Sequence, residues 1–132
     1  MIDVRHAVLR PGKPRETAVF DGDTRKATRH WVAVQADRTV GVVSVMPSEM
    51  PAPHPEPQPR WQLRGMAVLA ELQGSGVGRA MLVAVQTDVN DAMWCNARAH
   101  VEGFYAREGW IRQGDVFEIE GVGPHVRMTW AP

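Results

Sequence analysis

Cysteine is almost missing from this chain. Cys95 is the single one in 132 residues, so no intrachain disulfide and no Cys-based metal site can form. No apolar run approaches the roughly 18 residues that a membrane helix needs. The start, Met1-Ile2-Asp3-Val4-Arg5, lacks the apolar stretch of a secretory signal. An excess of one charge is missing too, since 15 Lys and Arg face 15 Asp and Glu. No face is expected to be basic, which disfavours nucleic acid as the main partner. Low net charge permits self-association, such as a homodimer, without requiring it. These absences point to a cytoplasmic protein with no membrane segment and no metal. The length sets one domain, 1–132, with a modest single core.

Glycine, in contrast, is concentrated where it can bind something. Gln73-Gly74-Ser75-Gly76-Val77-Gly78-Arg79-Ala80 follows the strand-like run Met66-Ala67-Val68-Leu69 and opens a helical run from Met81 to Asp88. A glycine turn between strand and helix gathers unpaired backbone N–H groups at the positive end of the helix dipole, which suits a phosphate. A Walker loop is excluded, because no Lys follows any of these glycines. A dinucleotide fingerprint would need a glycine where Arg79 stands, and an acidic residue near the end of the next strand, which instead closes on Cys95-Asn96. The pattern [Q/R]-x-x-G-x-[G/A], an acyl-CoA pyrophosphate loop, is met by Gln73, Gly76 and Gly78. A left-handed turn that binds nothing is the plain alternative.

Along the chain, Val4, Val8 and Leu9 mark a short helix that stops at Pro11-Gly12. Residues 11–29 read as a polar loop with room for one helical turn, Val19 and Phe20 being its isolated apolar pair. His30–Ala36 and Thr39–Met46 form a hairpin about Asp37-Arg38. The segment 47–59, with Pro47, Pro51, Pro53, Pro55, Pro57 and Pro59, reads as an extended, mobile connection. Arg60–Leu69 is the next strand. Val77, Met81, Ala84 and Val85 give the following helix one apolar face. Met93-Trp94-Cys95 marks a short buried strand, and Ala99–Glu108 a helix closed by Gly109. A final hairpin, Trp110–Glu120 and Pro124–Trp130, turns at Gly121-Val122-Gly123. The order gives an α/β fold with a mixed sheet.

Four ordered blocks resemble the GNAT N-acetyltransferase family over nearly the whole length. They are Val40-Gly41-Val42-Val43-Ser44, then Leu63 to Val68 with Gln73 to Gly78, then Phe104-Tyr105-Ala106-Arg107-Glu108-Gly109-Trp110, then Phe117 to Met128. The last block, with Arg5-x-x-Val8-Leu9-x-Pro11-Gly12, looks like the ElaA-like branch. The resemblance implies the acyl-CoA N-acyltransferase fold, its central sheet splayed around the CoA site, and acetyl transfer from acetyl-CoA to a primary amine of a small acceptor. An acyl-CoA sensor without turnover is the alternative. The family's usual first strand is missing here, because the chain starts inside the first helix; a neighbouring subunit is the other source of that edge.

Residue by residue, the resemblance implies that backbone groups of Met66, Ala67 and Val68 hold the pantetheine arm and supply an oxyanion donor. The turn Gln73, Gly74, Ser75, Gly76, Val77, Gly78, Arg79, Ala80 holds the pyrophosphate, with Gly76 and Gly78 bare so that it can approach. Asn96 falls where the family binds pantetheine or a strand end. Tyr105 lies near the sulfur and protonates the leaving thiolate. The family's common carboxylate base is replaced by Gln62. His125 is then the candidate base, with Glu118 facing it across the last hairpin. Arg5 and Arg64 suit either an acidic group of the acceptor or surface salt bridges. His100 suits a helix cap, and Cys95 a core position.

Overall fold

The computed structural model describes residues 1–132. A six-stranded sheet runs β1 (Arg29–Gln35), β2 (Arg38–Pro47), β3 (Trp61–Val68), β4 (Met93–Arg98), β6 (Gly123–Trp130) and β5 (Ile111–Ile119) in spatial order. Every neighbouring pair is antiparallel except β3 with β4. Three helices flank it: α1 (Ile2–Leu9), α2 (Val77–Val89) and α3 (Glu102–Ala106). No strand precedes α1, and β1 is an edge. No helix is long and apolar enough to cross a membrane.

Alternation along the strands sorts the side chains onto two faces. Val43, Val45, Leu63, Val68, Cys95, Ala97, Val126 and Met128 point to the side covered by α2 (Met81, Leu82, Val85) and α3 (Tyr105). Val42 and Ala67 point to the other side, where α1 lays Val4 over them. Burial of each fully enclosed aliphatic side chain contributes roughly 1.5–3 kcal/mol.

Two irregularities in β3 create the site. Val42 pairs with Ala67 and Ser44 with Arg64, so β3 carries one residue more than β2 across this interval. That is a β-bulge at Gly65, whose φ is +66°. A Cβ there would lie 2.8 Å from Arg5 Nε and 3.2 Å from Phe20, so both conformation and space demand glycine. The second irregularity is the brevity of the parallel pairing. Only Trp61 with Met93 and Gln62 with Trp94 are in register, and beyond them β3 and β4 diverge.

Several local expectations need correction. The first hairpin turns at Ala36-Asp37, one residue early, with φ of +51° and +62°. These are the positive angles that a two-residue type I′ turn requires. The proline-rich segment is not a loose connection. Ser48 N–H donates to Arg60 O, Met50 N–H donates to Pro59 O, and Met50 is fully buried. Proline removed donors from this segment, but the residues between the prolines kept enough of them to extend the β2–β3 hairpin.

Candidate active site

A cleft of about 630 Å³ opens where β3 and β4 part. It passes from one face of the sheet to the other. On the α2 and α3 side it is lined by Leu72, Gln73, Gly74, Gly76, Phe104 and Tyr105; on the α1 side by Leu9, Arg10, Phe20, Arg64, Ile119 and His125.

The glycine turn is built as the sequence suggested. Gly76 is the N-cap of α2 in the left-handed region (φ +97°), and Gly74 also has positive φ (+82°). Nothing lies within 4 Å of the Cβ position at either glycine, so the space above the turn is open. The first intrahelical bond runs from Ala80 N–H to Gly76 O, which leaves the amides before Ala80 without an intrahelical carbonyl, as at any helix start. Gln73 plays a structural part: its Nε2 donates to Val68 O (3.0 Å) and pins the turn to the end of β3. Gly78 is bare for a different reason from the one expected. A Cβ there would meet Phe104 at 3.2 Å, so this glycine lets α2 pack on α3. Arg79 lines the cleft and pairs with Glu108 at 2.7 Å, while Ser75, Val77 and Ala80 stand just outside the lining.

Met66, Ala67 and Val68 border the cleft on the edge of β3 that turns away from β4. Past Gln62, that edge has no neighbouring strand, so its backbone groups face the opening. The residues therefore fit an extended ligand ending in phosphates: a strand edge for amide contacts, then a bare turn and a helix start.

Tyr105 is buried against the core, edge-on to Phe104 and Trp110, with centroids 5.2 and 5.4 Å away. Its hydroxyl makes no hydrogen bond within the chain, yet it is not among the sealed unpaired atoms, so it opens to the cleft. Burial first, and then the neighbouring Cys95 sulfur, push its pKa well above the ordinary phenol value. It stays protonated at neutral pH. Burial likewise raises the Cys95 thiol, which keeps it un-ionised and inert as a nucleophile.

His125 lies on the α1 face, 5% exposed, opposite Arg98 on β4. Its Nδ1 is 2.7 Å from Gly123 O. A carbonyl only accepts, so Nδ1 carries a proton, which leaves Nε2 as the nitrogen free to exchange one. Glu118 does not join it. Phe117 is the residue opposite His125, its ring 6.0 Å away, and Glu118 opposes Pro124. The period-two alternation of β5 sends Glu118 to the other face, away from the cleft. Asn96 also lies on the α1 face, where its Oδ1 accepts from Arg127 Nε at 3.2 Å. His100 lines the cleft in the 3-10 turn Ala99–Val101 and makes no cap bond, against the capping expectation.

Arg5 is not a surface residue. It is fully buried and bonds Asp23 (2.6 Å), Ala18 O (2.8 Å) and Ser44 Oγ (3.1 Å), with its guanidinium 4.2 Å from the Phe20 ring centre. It fastens the loop 15–23 over the sheet rather than meeting a ligand. Lys13 Nζ donates to Gly121 O and links the turn after α1 to the last hairpin turn. Sequence reading gave no sign that Arg10, Phe20 and Arg98 share this wall; their separation in the chain hides it.

Comparison with known proteins agrees with this geometry. The sequence profile of the GNAT acetyltransferase domain matches residues 14–132. An uncharacterised N-acetyltransferase of Bacillus subtilis, YitI, is 30% identical over 130 residues, covering 96% of this chain and 86% of that protein. Among solved structures, Escherichia coli ElaA superposes with a TM-score of 0.74 at 23% identity, covering 97% of this chain and 85% of ElaA. An aminoglycoside 6′-N-acetyltransferase complexed with coenzyme A gives a TM-score of 0.74 at 13% identity, covering 98% and 87%. The strand splay, the bare turn and these matches together place the chain in the GNAT family, as an acetyl-CoA-dependent N-acetyltransferase.

Proposed function

We propose that the protein moves the acetyl group of acetyl-CoA to the primary amine of a small acceptor, directly and within the cleft. The observation that carries this reading is the cleft itself. It joins a helix N-terminus bare of side chains on one face to a buried imidazole on the other. The pyrophosphate is held by amides at the start of α2, and the pantetheine by the free edge of β3 at Met66, Ala67 and Val68. A backbone N–H of this edge faces the thioester oxygen and stabilises the oxyanion.

The acceptor enters from the α1 side as an ammonium ion. It must lose a proton before it can attack. His125 takes it through Nε2, directly or by way of a water. The amine nitrogen bonds to the carbonyl carbon and sheds its second proton to solvent, the C–S bond breaks, and Tyr105 gives its phenol proton to the departing sulfur. Solvent returns the proton from His125 to the phenolate. Gln62 lines the same cleft and offers a hydrogen bond but no proton acceptance. Glu118, set on the opposite face, has no part in this route.

The test is thiol release from acetyl-CoA over a panel of amines, alongside CoA affinity by calorimetry. Release that depends on an amine supports the reading. Tight CoA binding with no release on any amine would favour the sensor alternative. Self-association as a homodimer, with β1 as the open edge, is checked by light scattering.

A further inference from the structure

The α1 side of the cleft carries cations that have no salt-bridge partner in the chain. Arg10, Arg64 and Arg98 line it, and no Asp or Glu does. All three are only part-exposed, and none has a carboxylate within 4.0 Å. The nearby Asp23 is taken by Arg5. A chain with zero formal charge has therefore gathered one sign of charge on one wall, against the even distribution its composition suggests.

The three cations are held close together. Arg10 Nη1 and Arg98 Nη2 donate to the same carbonyl, Leu9 O, at 3.0 and 2.7 Å. Arg10 and Arg64 both stack on the Phe20 ring, 5.3 and 4.7 Å from its centre. Beyond these contacts Arg64 makes one long bond to Asp21 O, at 3.4 Å, and a sulfur contact to Met46. Each guanidinium has five donors, so most remain unused. Burial first, then the charges of Arg98, Arg64 and Arg5, lower the pKa of Arg10; burial also lowers that of Arg64, partly offset by Asp23 and Asp21. A cluster of this kind is relieved by an anion. The phosphates of the donor do not supply it, because their turn lies on the opposite face at the start of α2, beside Arg79.

We propose that the acceptor amine carries an anionic group, a carboxylate or a phosphate, bound by Arg10 and Arg64 with Arg98 behind them. This rests on the acetyl-transfer reading and narrows its substrate class. A planar guanidinium fork matches either anion in a bidentate way. Phe20 adds a flat apolar wall between the forks. The same cations repel polycationic amines, and they disfavour the ammonium form of an amine held beside them. That helps a site whose usual carboxylate base is replaced by Gln62.

The experiment compares matched amines in the thiol-release assay: phenylalanine with phenethylamine, phosphoethanolamine with ethanolamine, and spermidine as a polycation. The two pairs separate a carboxylate source from a phosphate source. The expected result is that one anionic member exceeds its neutral twin by at least about ten-fold in kcat/KM, with spermidine poorest. Arg64→Gln should then raise KM for that anionic amine by about ten-fold with little change in kcat or in the KM of acetyl-CoA, and Arg64→Lys should recover part of it. Calorimetry of the same pairs on CoA-saturated protein reads the preference without turnover. Equal binding of the twins, preference for neutral or polycationic amines, or equal weakening of both twins by Arg64→Gln would overturn the proposal. Absence of thiol release with every amine counts against acetyl transfer alone, since the calorimetric preference still decides whether the wall binds anions.

Discussion

The two faces of the cleft are made by different means. The α2 and α3 side is built from backbone: a strand edge without a partner, two glycines with positive φ and the start of a helix. The α1 side is built from side chains, with Arg10, Phe20, Arg64, Arg98 and His125 brought together from five parts of the chain. Backbone recognition needs only a local shape, which a short run of residues can specify. Side-chain recognition depends on the packing of distant segments, so it varies more readily and sets specificity.

Stability separates the faces most sharply. On the α1 side, Asp23→Ala leaves Arg5 charged and buried with no carboxylate, which is expected to cost about 3–5 kcal/mol in urea unfolding. The pair of the exposed Arg79 with Glu108 on the other side should cost less than about 1 kcal/mol when Glu108 is replaced by Ala. For Asp23, burial pulls the pKa up, but the hydrogen bonds from Arg5 and from the Phe20 amide, with the charges of Arg5 and His30, more than offset it and the net shift is downward. A lowered carboxyl pKa stabilises the fold above the ordinary value near 4 and loses that contribution as pH falls through the lower folded value. The acid limb of the stability curve should flatten in Asp23→Ala. Equal losses for the two variants would mean that the faces do not differ in this way.

Next in size is the proton donor. Tyr105→Phe keeps the ring in the core and removes only the hydroxyl, so turnover should fall by roughly 10²-fold with the KM of acetyl-CoA nearly unchanged. Parental turnover would leave Tyr105 as packing alone. Across the sheet, His125→Ala should lower turnover by roughly ten-fold, a small loss for a general base because water can also take the ammonium proton. The acidic limb that an imidazole gives to the pH–rate profile should vanish with it. A retained limb would move the base elsewhere, with a water held by Gln62 next in line. The smallest effect belongs to the turn: Ser75→Glu sets a carboxylate beside the helix start and should weaken CoA binding by about 1 kcal/mol, or five-fold, at unchanged melting temperature. No change in CoA affinity would place the phosphates away from α2.

The α2 and α3 side was legible in the sequence because its signals are local. Gln73 to Gly78 stand together, and Met66 to Val68 lead straight into them. Even there, the role of Gly78 required the position of Phe104, which is fixed only by the packing of α2 on α3. The α1 side was read poorly. Arg5 and Asp23 are 18 residues apart, and nothing in either segment announces a buried ion pair. Phe20, an isolated apolar residue in a polar loop, turned out to sit among three guanidinia. Glu118 was misplaced because its face depends on the pairing of β5 with β6, which a register shift between Gln113 and Phe117 resets.

The cleft is lined from both faces of the sheet, and this bears on the kinetics. With donor and acceptor on opposite faces, as proposed, neither would have to leave before the other arrives. The single thiol cannot store the acetyl group between visits, Cys95 being buried and un-ionised. Both substrates must then be present together. Initial-rate lines at varied acetyl-CoA and amine should intersect rather than run parallel, and excess acceptor should not shut out the donor.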